Sequence, residues 1–116
     1  MRRLAVCLAA VSAAFAGGKN YKNFDVAVYC RAYEVRQMKD PAWLEDRWNA
    51  ITRDVKVDKV YLETHRDMVV PDQETLDLAK KFFAARGVRT AGGITATVNE
   101  MNMFETFCYT TPAHRQ

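Results

Sequence analysis

Residues 58–67, DKVYLETHRD, open as an apolar-rich segment and end in a knot of ionisable groups. Val60, Tyr61 and Leu62 belong to the β-branched, aromatic and aliphatic types that fill strands, so DKVYLET reads as a strand. Glu63, Thr64, His65, Arg66 and Asp67 then crowd its far end. In α/β folds with parallel strands, the carboxyl ends of strands are where ligands bind and chemistry is done. In any other arrangement the same residues form an exposed polar turn. The flanking segments decide between the two.

Upstream, NFDVAVYC reads as a first strand from about Asp25 to Cys30. Its near-continuous apolar character suits a strand buried on both faces, as in a parallel sheet covered by helices. RAYEVRQMK follows as a polar loop. Asp40 and Pro41 then give an N-cap acid and a first-turn proline. From Ala42 to about Val55, Leu44, Trp48, Ile51 and Val55 recur at spacings of four, three and four, one face of a helix packed on the sheet. Within that pattern Trp43 and Trp48 read as packing residues rather than sugar-stacking platforms.

Downstream, a loop HRDMVVP leads to a second helix with Asp72 as N-cap, Glu74 in its first turn and Gly87 as its stop. Leu76, Ala79, Phe82, Phe83 and the Ala84-Ala85 pair supply its buried side. A third strand runs from Val88 to about Ala91 and breaks at Gly92-Gly93. Paired glycines there permit positive φ or a close approach of another group, a structural bend being the commoner use. FETFCYT is a further extended segment, and Thr111-Pro112 opens another helix start. The order strand, helix, strand, helix, strand, with short links, predicts an α/β fold of parallel βαβαβ units with right-handed crossovers.

The first residues stand apart from this pattern. Arg2 and Arg3, an apolar run of 13 residues from Leu4 and the Ala14-Phe15-Ala16 triplet form the three parts of a secretory signal peptide over residues 1–16. The run falls short of the ~20 residues that cross a bilayer. Its removal leaves residues 17–116 as one domain, secreted or periplasmic, with no membrane association. Without Arg2 and Arg3 the net charge falls from +3 to +1, and no basic stripe of a nucleic-acid binder remains. Cys30 and Cys108 each follow an apolar or aromatic run, which favours buried thiols over a disulfide, although an oxidising compartment permits pairing. His65 and His114 are far apart in sequence, there is no CxxC or HxH, and no metal site or cofactor is expected. GxSxG, GxGxxG and P-loop motifs are absent.

With parallel strands, the residues just past each strand share one rim: Arg31, Tyr33 and Glu34, then Glu63 to Arg66, then Gly92 to Thr95. Acids and arginines bind hydroxyls and a tyrosine offers an apolar face, a set suited to a polyhydroxylated ligand. Glu63 has two readings, a carboxyl with a pKa shifted for chemistry or one half of an ion pair with Arg66 or Arg31 that closes the core.

FDVAVYCRAYEV, VDKVYLETHRD, FFAARGVRTAGGIT and FCYTTPAHR together resemble the amino-terminal part of secreted bacterial proteins with a glycoside-hydrolase-like (β/α)8 barrel, from about Asn23 to Arg115. The resemblance implies a carbohydrate-active fold equivalent to the first three strands of a TIM barrel. In many glycosidases of this fold the acid/base carboxylate comes from the fourth strand and a nucleophile from a later one, so catalytic residues are left unassigned here. Arg31, Glu63 and Arg66 carry over as substrate-binding rim contacts. A complete barrel needs roughly 250 residues, so an incomplete barrel from a truncated chain is expected, with open sheet edges inviting self-association. The rival reading is a non-catalytic secreted α/β module that binds a small polar ligand or a partner protein.

Overall fold

The computed structural model describes residues 21–108 and 110–115; the signal peptide expected over residues 1–16 lies outside them. The elements in chain order are β1 (Ala27–Cys30), α1 (Ala32–Gln37), α2 (Pro41–Thr52), β2 (Lys59–Glu63), α3 (Gln73–Ala84), β3 (Arg89–Gly93), β4 (Thr97–Asn99) and β5 (Glu105–Thr106), followed by a 3₁₀ turn at Pro112–Arg115. β1, β2 and β3 form one sheet with β2 in the middle. Both pairings are parallel, with Tyr29 opposite Tyr61 and Glu63 opposite Gly93. The α/β architecture of parallel βαβ units is therefore present, and DKVYLET is its central strand. β4 and β5 pair separately as a short antiparallel hairpin.

The helices start where their caps dictate. Asp40 accepts hydrogen bonds from Ala42 N and Trp43 N to open α2, and Asp72 accepts from Thr75 N at 2.7 Å to open α3. Gly87, at φ 70°, takes the left-handed conformation that stops α3 without a Cβ penalty. One face of the sheet carries the core. Val60 and Leu62 are buried there with Leu44 of α2, Ala79 and Phe83 of α3, and Val88 before β3. Trp48 meets Phe83 edge-on at 5.3 Å, the packing role expected of it.

Several expectations are corrected. RAYEVRQMK is not a loop: Ala32, Val35 and Met38 recur at a spacing of three, and all are buried, so the segment folds as α1. Among the described residues the sheet is covered on one face only. Tyr29 and Tyr61 stack at 6.2 Å on the other face, where Tyr29 is 48% exposed. Alternation along a strand puts them opposite Val28, Val60 and Leu62. The α2 stripe is fully buried only at Leu44; Trp48 packs partly buried against the core, and Ile51 and Val55, the latter beyond the helix end at Thr52, are exposed. Ala84 and Ala85 are exposed at the end of α3. Gly92 and Gly93 lie inside β3 and neither adopts positive φ. Cys30 is a half-buried free thiol, whereas Cys108 is exposed.

Candidate functional site

Because the three strands are parallel, their carboxyl ends meet on one rim, and Glu63 closes the central one. Its side chain is fully buried. Oε1 accepts from Tyr29 Oη at 2.7 Å, from Arg66 Nη2 at 3.0 Å and from the Thr95 hydroxyl. Oε2 accepts from Ala32 N at 2.7 Å and from Arg66 Nε at 2.8 Å. Burial pushes this carboxyl up, but the donors of Arg66, Thr95, Tyr29 and Ala32 N outweigh it and hold the group at about 2. Of the two readings open for Glu63, the geometry displays the ion pair, and its partner is Arg66 rather than Arg31.

This arrangement depends on Gly93. A Cβ built there would lie 2.8 Å from Tyr29 Oη and 2.9 Å from Tyr29 Cε2. The Tyr29 ring therefore reaches from β1 across the sheet to β3, and its hydroxyl arrives at Glu63. Of the two uses foreseen for the glycine pair, Gly93 serves the close approach. Gly92 has nothing within 4 Å of the same position.

Arg66 extends the network outward. Its Nη1 donates to Glu100, the residue just past β4, and its Nη2 also donates to Thr95 Oγ1 at 3.1 Å. One guanidinium thus bridges a buried carboxylate and one that is 24% exposed. Asp67 follows in a two-residue turn closed by paired hydrogen bonds between Arg66 and Val69. Both central residues have positive φ, 49° at Asp67 and 63° at Met68, the geometry of a tight hairpin turn. Tyr33 Oη donates to Asp67 Oδ2 at 2.6 Å, and Glu100 N donates to Oδ1 at 3.0 Å. Hydrogen bonds from Thr97 first, and then Tyr33, lower the Asp67 carboxyl.

Two groups face outward. Arg31, 55% exposed, meets Glu34 through both Nε and Nη2 in a forked ion pair. His65 Nδ1 lies 3.0 Å from Thr95 O, a carbonyl that can only accept, so Nδ1 is the donor in this bond. The His65 ring packs on Phe107 at 5.2 Å.

The structure therefore brings Glu63 and Arg66 together and sets Arg31 apart with Glu34. Sequence reasoning missed Glu100, which lies in a polar stretch 34 residues beyond Arg66 and carries no local signal. Glu63, with five donors on two oxygens, has no acceptor site left for a ligand. Hydroxyl-binding capacity on the rim rests with Arg31, Glu34, Glu100 and His65. Among the described residues no group of three or more His, Cys, Asp or Glu side chains is placed to hold a metal ion. Nor is any described helix long and apolar enough to cross a membrane.

A family model described as "Probable glycosyl hydrolase, catalytic domain" matches residues 13–116. No curated protein and no solved structure matches the chain.

Proposed function

Since the chain belongs to the probable glycosyl hydrolase catalytic-domain family, we propose that its strand-end rim binds carbohydrate as the opening units of a glycoside-hydrolase-like (β/α)8 barrel. The observation that carries this reading is the Glu63 network. A fully buried carboxylate gathers Tyr29, Ala32 N, Arg66 and Thr95 from all three strand ends. Such preorganisation holds polar groups in fixed positions for a polyhydroxylated ligand. The uncovered face bearing Tyr29 and Tyr61 corresponds to the barrel interior, against which further strands close.

Among the residues proposed to serve substrate, Arg31 makes direct contact, donating to sugar hydroxyls from its exposed fork with Glu34. Arg66 and Glu63 hold the rim in shape behind it, and Glu100 presents an acceptor to the ligand. Glycoside hydrolysis requires two carboxyl groups, one of them an acid with a raised pKa. Glu63, held at about 2, is ionised at neutral pH and does not fit the acid's role. The second reading has these residues bind a polar ligand without cleaving it. Residues 1–16 form an export leader in this proposal and send the protein to the periplasm or beyond; Arg2, Arg3, the apolar run and Ala14-Phe15-Ala16 support this.

Titration calorimetry against a panel of oligosaccharides, paired with chromogenic glycosides for turnover, tests the proposal. The expected result is saturable binding weakened about tenfold by Arg31→Ala, the size of one or two charge-assisted contacts. Binding with turnover would reject the second reading, and absence of binding to any sugar would reject the first.

A further inference from the structure

A cleft of about 450 Å³ lies beside the rim, lined by Tyr33, Arg36, Gln37, Lys39, Val70 and Asp72. Its volume is in the range of small-molecule sites, roughly 300–1,000 Å³. Both walls are strand-end connections: one follows β1 and leads to α2, the other follows β2 and leads to α3. The cleft thus opens on the same side of the sheet as the Glu63 network, and Tyr33 belongs to both through its bond to Asp67.

Its charges are unusual for this molecule. Arg31, Arg47, Arg53, Arg66, Arg86 and Arg89 each lie against a carboxylate. Among the residues whose side chains are described, Arg36 is the arginine for which no carboxylate lies within ion-pair distance, and it lines a cleft that also holds Lys39. The carboxylate on the facing wall, Asp72, turns Oδ1 to Thr75 N as the cap of α3. The cleft therefore offers two cations beside the capping carboxylate of Asp72, with the exposed Val70 side chain as an apolar wall.

We infer that this cleft is a subsite for an anionic sugar, with Arg36 and Lys39 binding its carboxylate or sulfate. Asp72 Oδ2 accepts from a ring hydroxyl and Val70 packs on the apolar face of the pyranose. The inference rests on the carbohydrate-binding reading above and adds the substrate class: acidic glycans, held by the cleft while the neighbouring units meet the rim.

The test uses the full chain and three oligosaccharide probes: oligogalacturonate, its carboxyl-reduced neutral counterpart, and a sulfated oligosaccharide of similar length. The Arg36→Ala/Lys39→Ala variant is compared with Lys22→Ala/Lys81→Ala, which removes the same charge from exposed positions outside the cleft. The expected result is roughly tenfold weaker binding of an acidic probe by the cleft variant alone, with the neutral probe unaffected, as for two partly exposed charge-assisted contacts. The stronger of the two acidic probes identifies carboxylate or sulfate as the bound group. Equal losses in both variants, or equal affinity of the parent chain for acidic and neutral probes, would overturn the subsite and leave the rim intact. Failure of all three probes to bind would instead overturn the carbohydrate reading itself.

Discussion

Replacing Glu63 with glutamine keeps the shape of the side chain and removes the charge that organises the rim. The carboxyl sits at about 2 in the folded protein against an ordinary 4.5. At 1.36 kcal/mol per pKa unit, the ionised form contributes roughly 3 kcal/mol at neutral pH. The variant also turns an amide NH₂ toward donors that a carboxylate accepted, and leaves the Arg66 cation, 13% exposed, without its buried partner. Breaking such a pair costs about 3–5 kcal/mol, so both routes predict a loss near 3 kcal/mol at pH 7. The sign in pH follows from the depressed pKa. The contribution is complete above the unfolded value near 4.5, declines as pH falls from there, and is gone below about 2. Urea unfolding of parent and Glu63→Gln chains between pH 7 and pH 2 should show a gap that narrows across that window. A gap below 1 kcal/mol at pH 7, or one of constant size down to pH 2, would refute the account of Glu63 as an ionised anchor.

Gly93→Ala should lower stability by about 1 kcal/mol, because its Cβ meets a Tyr29 ring that Glu63 holds in place. Gly92→Ala, which meets nothing within 4 Å, should raise it by about 0.5 kcal/mol through the unfolded chain; the difference between the two unfolding midpoints checks both. Tyr33→Phe removes a donor from Asp67 Oδ2 and should move the Asp67 carboxyl upward in a carbon-detected NMR titration. No upward movement would show that Thr97 alone sets that group. Burial pushes the Cys30 thiol up to about 11. Its alkylation by iodoacetamide at pH 8 should therefore be about two orders of magnitude slower than that of an unperturbed thiol, as peptide mapping over time would show.

The parts of the fold legible in the sequence are those with a long period or a strong cap. β2 showed itself by composition, α2 and α3 by Asp40-Pro41, Asp72 and Gly87, and the parallel order by the short links between them. α1 escaped because six residues hold too few apolar positions to stand out among Arg31, Glu34, Arg36 and Lys39, although Ala32, Val35 and Met38 carried the spacing. β4 and β5 are three and two residues long, too short for alternation to register. The turn at Asp67-Met68 has Asp67 as a residue tolerant of positive φ, but Met68 is not one, so its chemistry gave only half a warning. The rim was legible as a place, since the strand-end polar residues could be named from order alone. Its wiring was not: Glu63 pairs with its near neighbour Arg66 rather than with Arg31, and Glu100 joins them from 34 residues further on.

The turn at Asp67-Met68 and the β4–β5 hairpin are tied by more than proximity. Asp67 N donates to Thr97 O at 3.1 Å, Glu100 N returns a bond to Asp67 Oδ1, and Arg66 holds Glu100 by its side chain. Opening the turn therefore removes these ties and leaves the hairpin held by His65, through its contacts with Thr95 and Phe107, and neither piece has a core of its own. The two form one cooperative unfolding unit, bounded by the sheet on one side and solvent on the other. Amide protons of Asp67 and Glu100 should accordingly exchange with deuterium at a common rate, faster than those of β2. An oligosaccharide that engages Glu100 would slow both together.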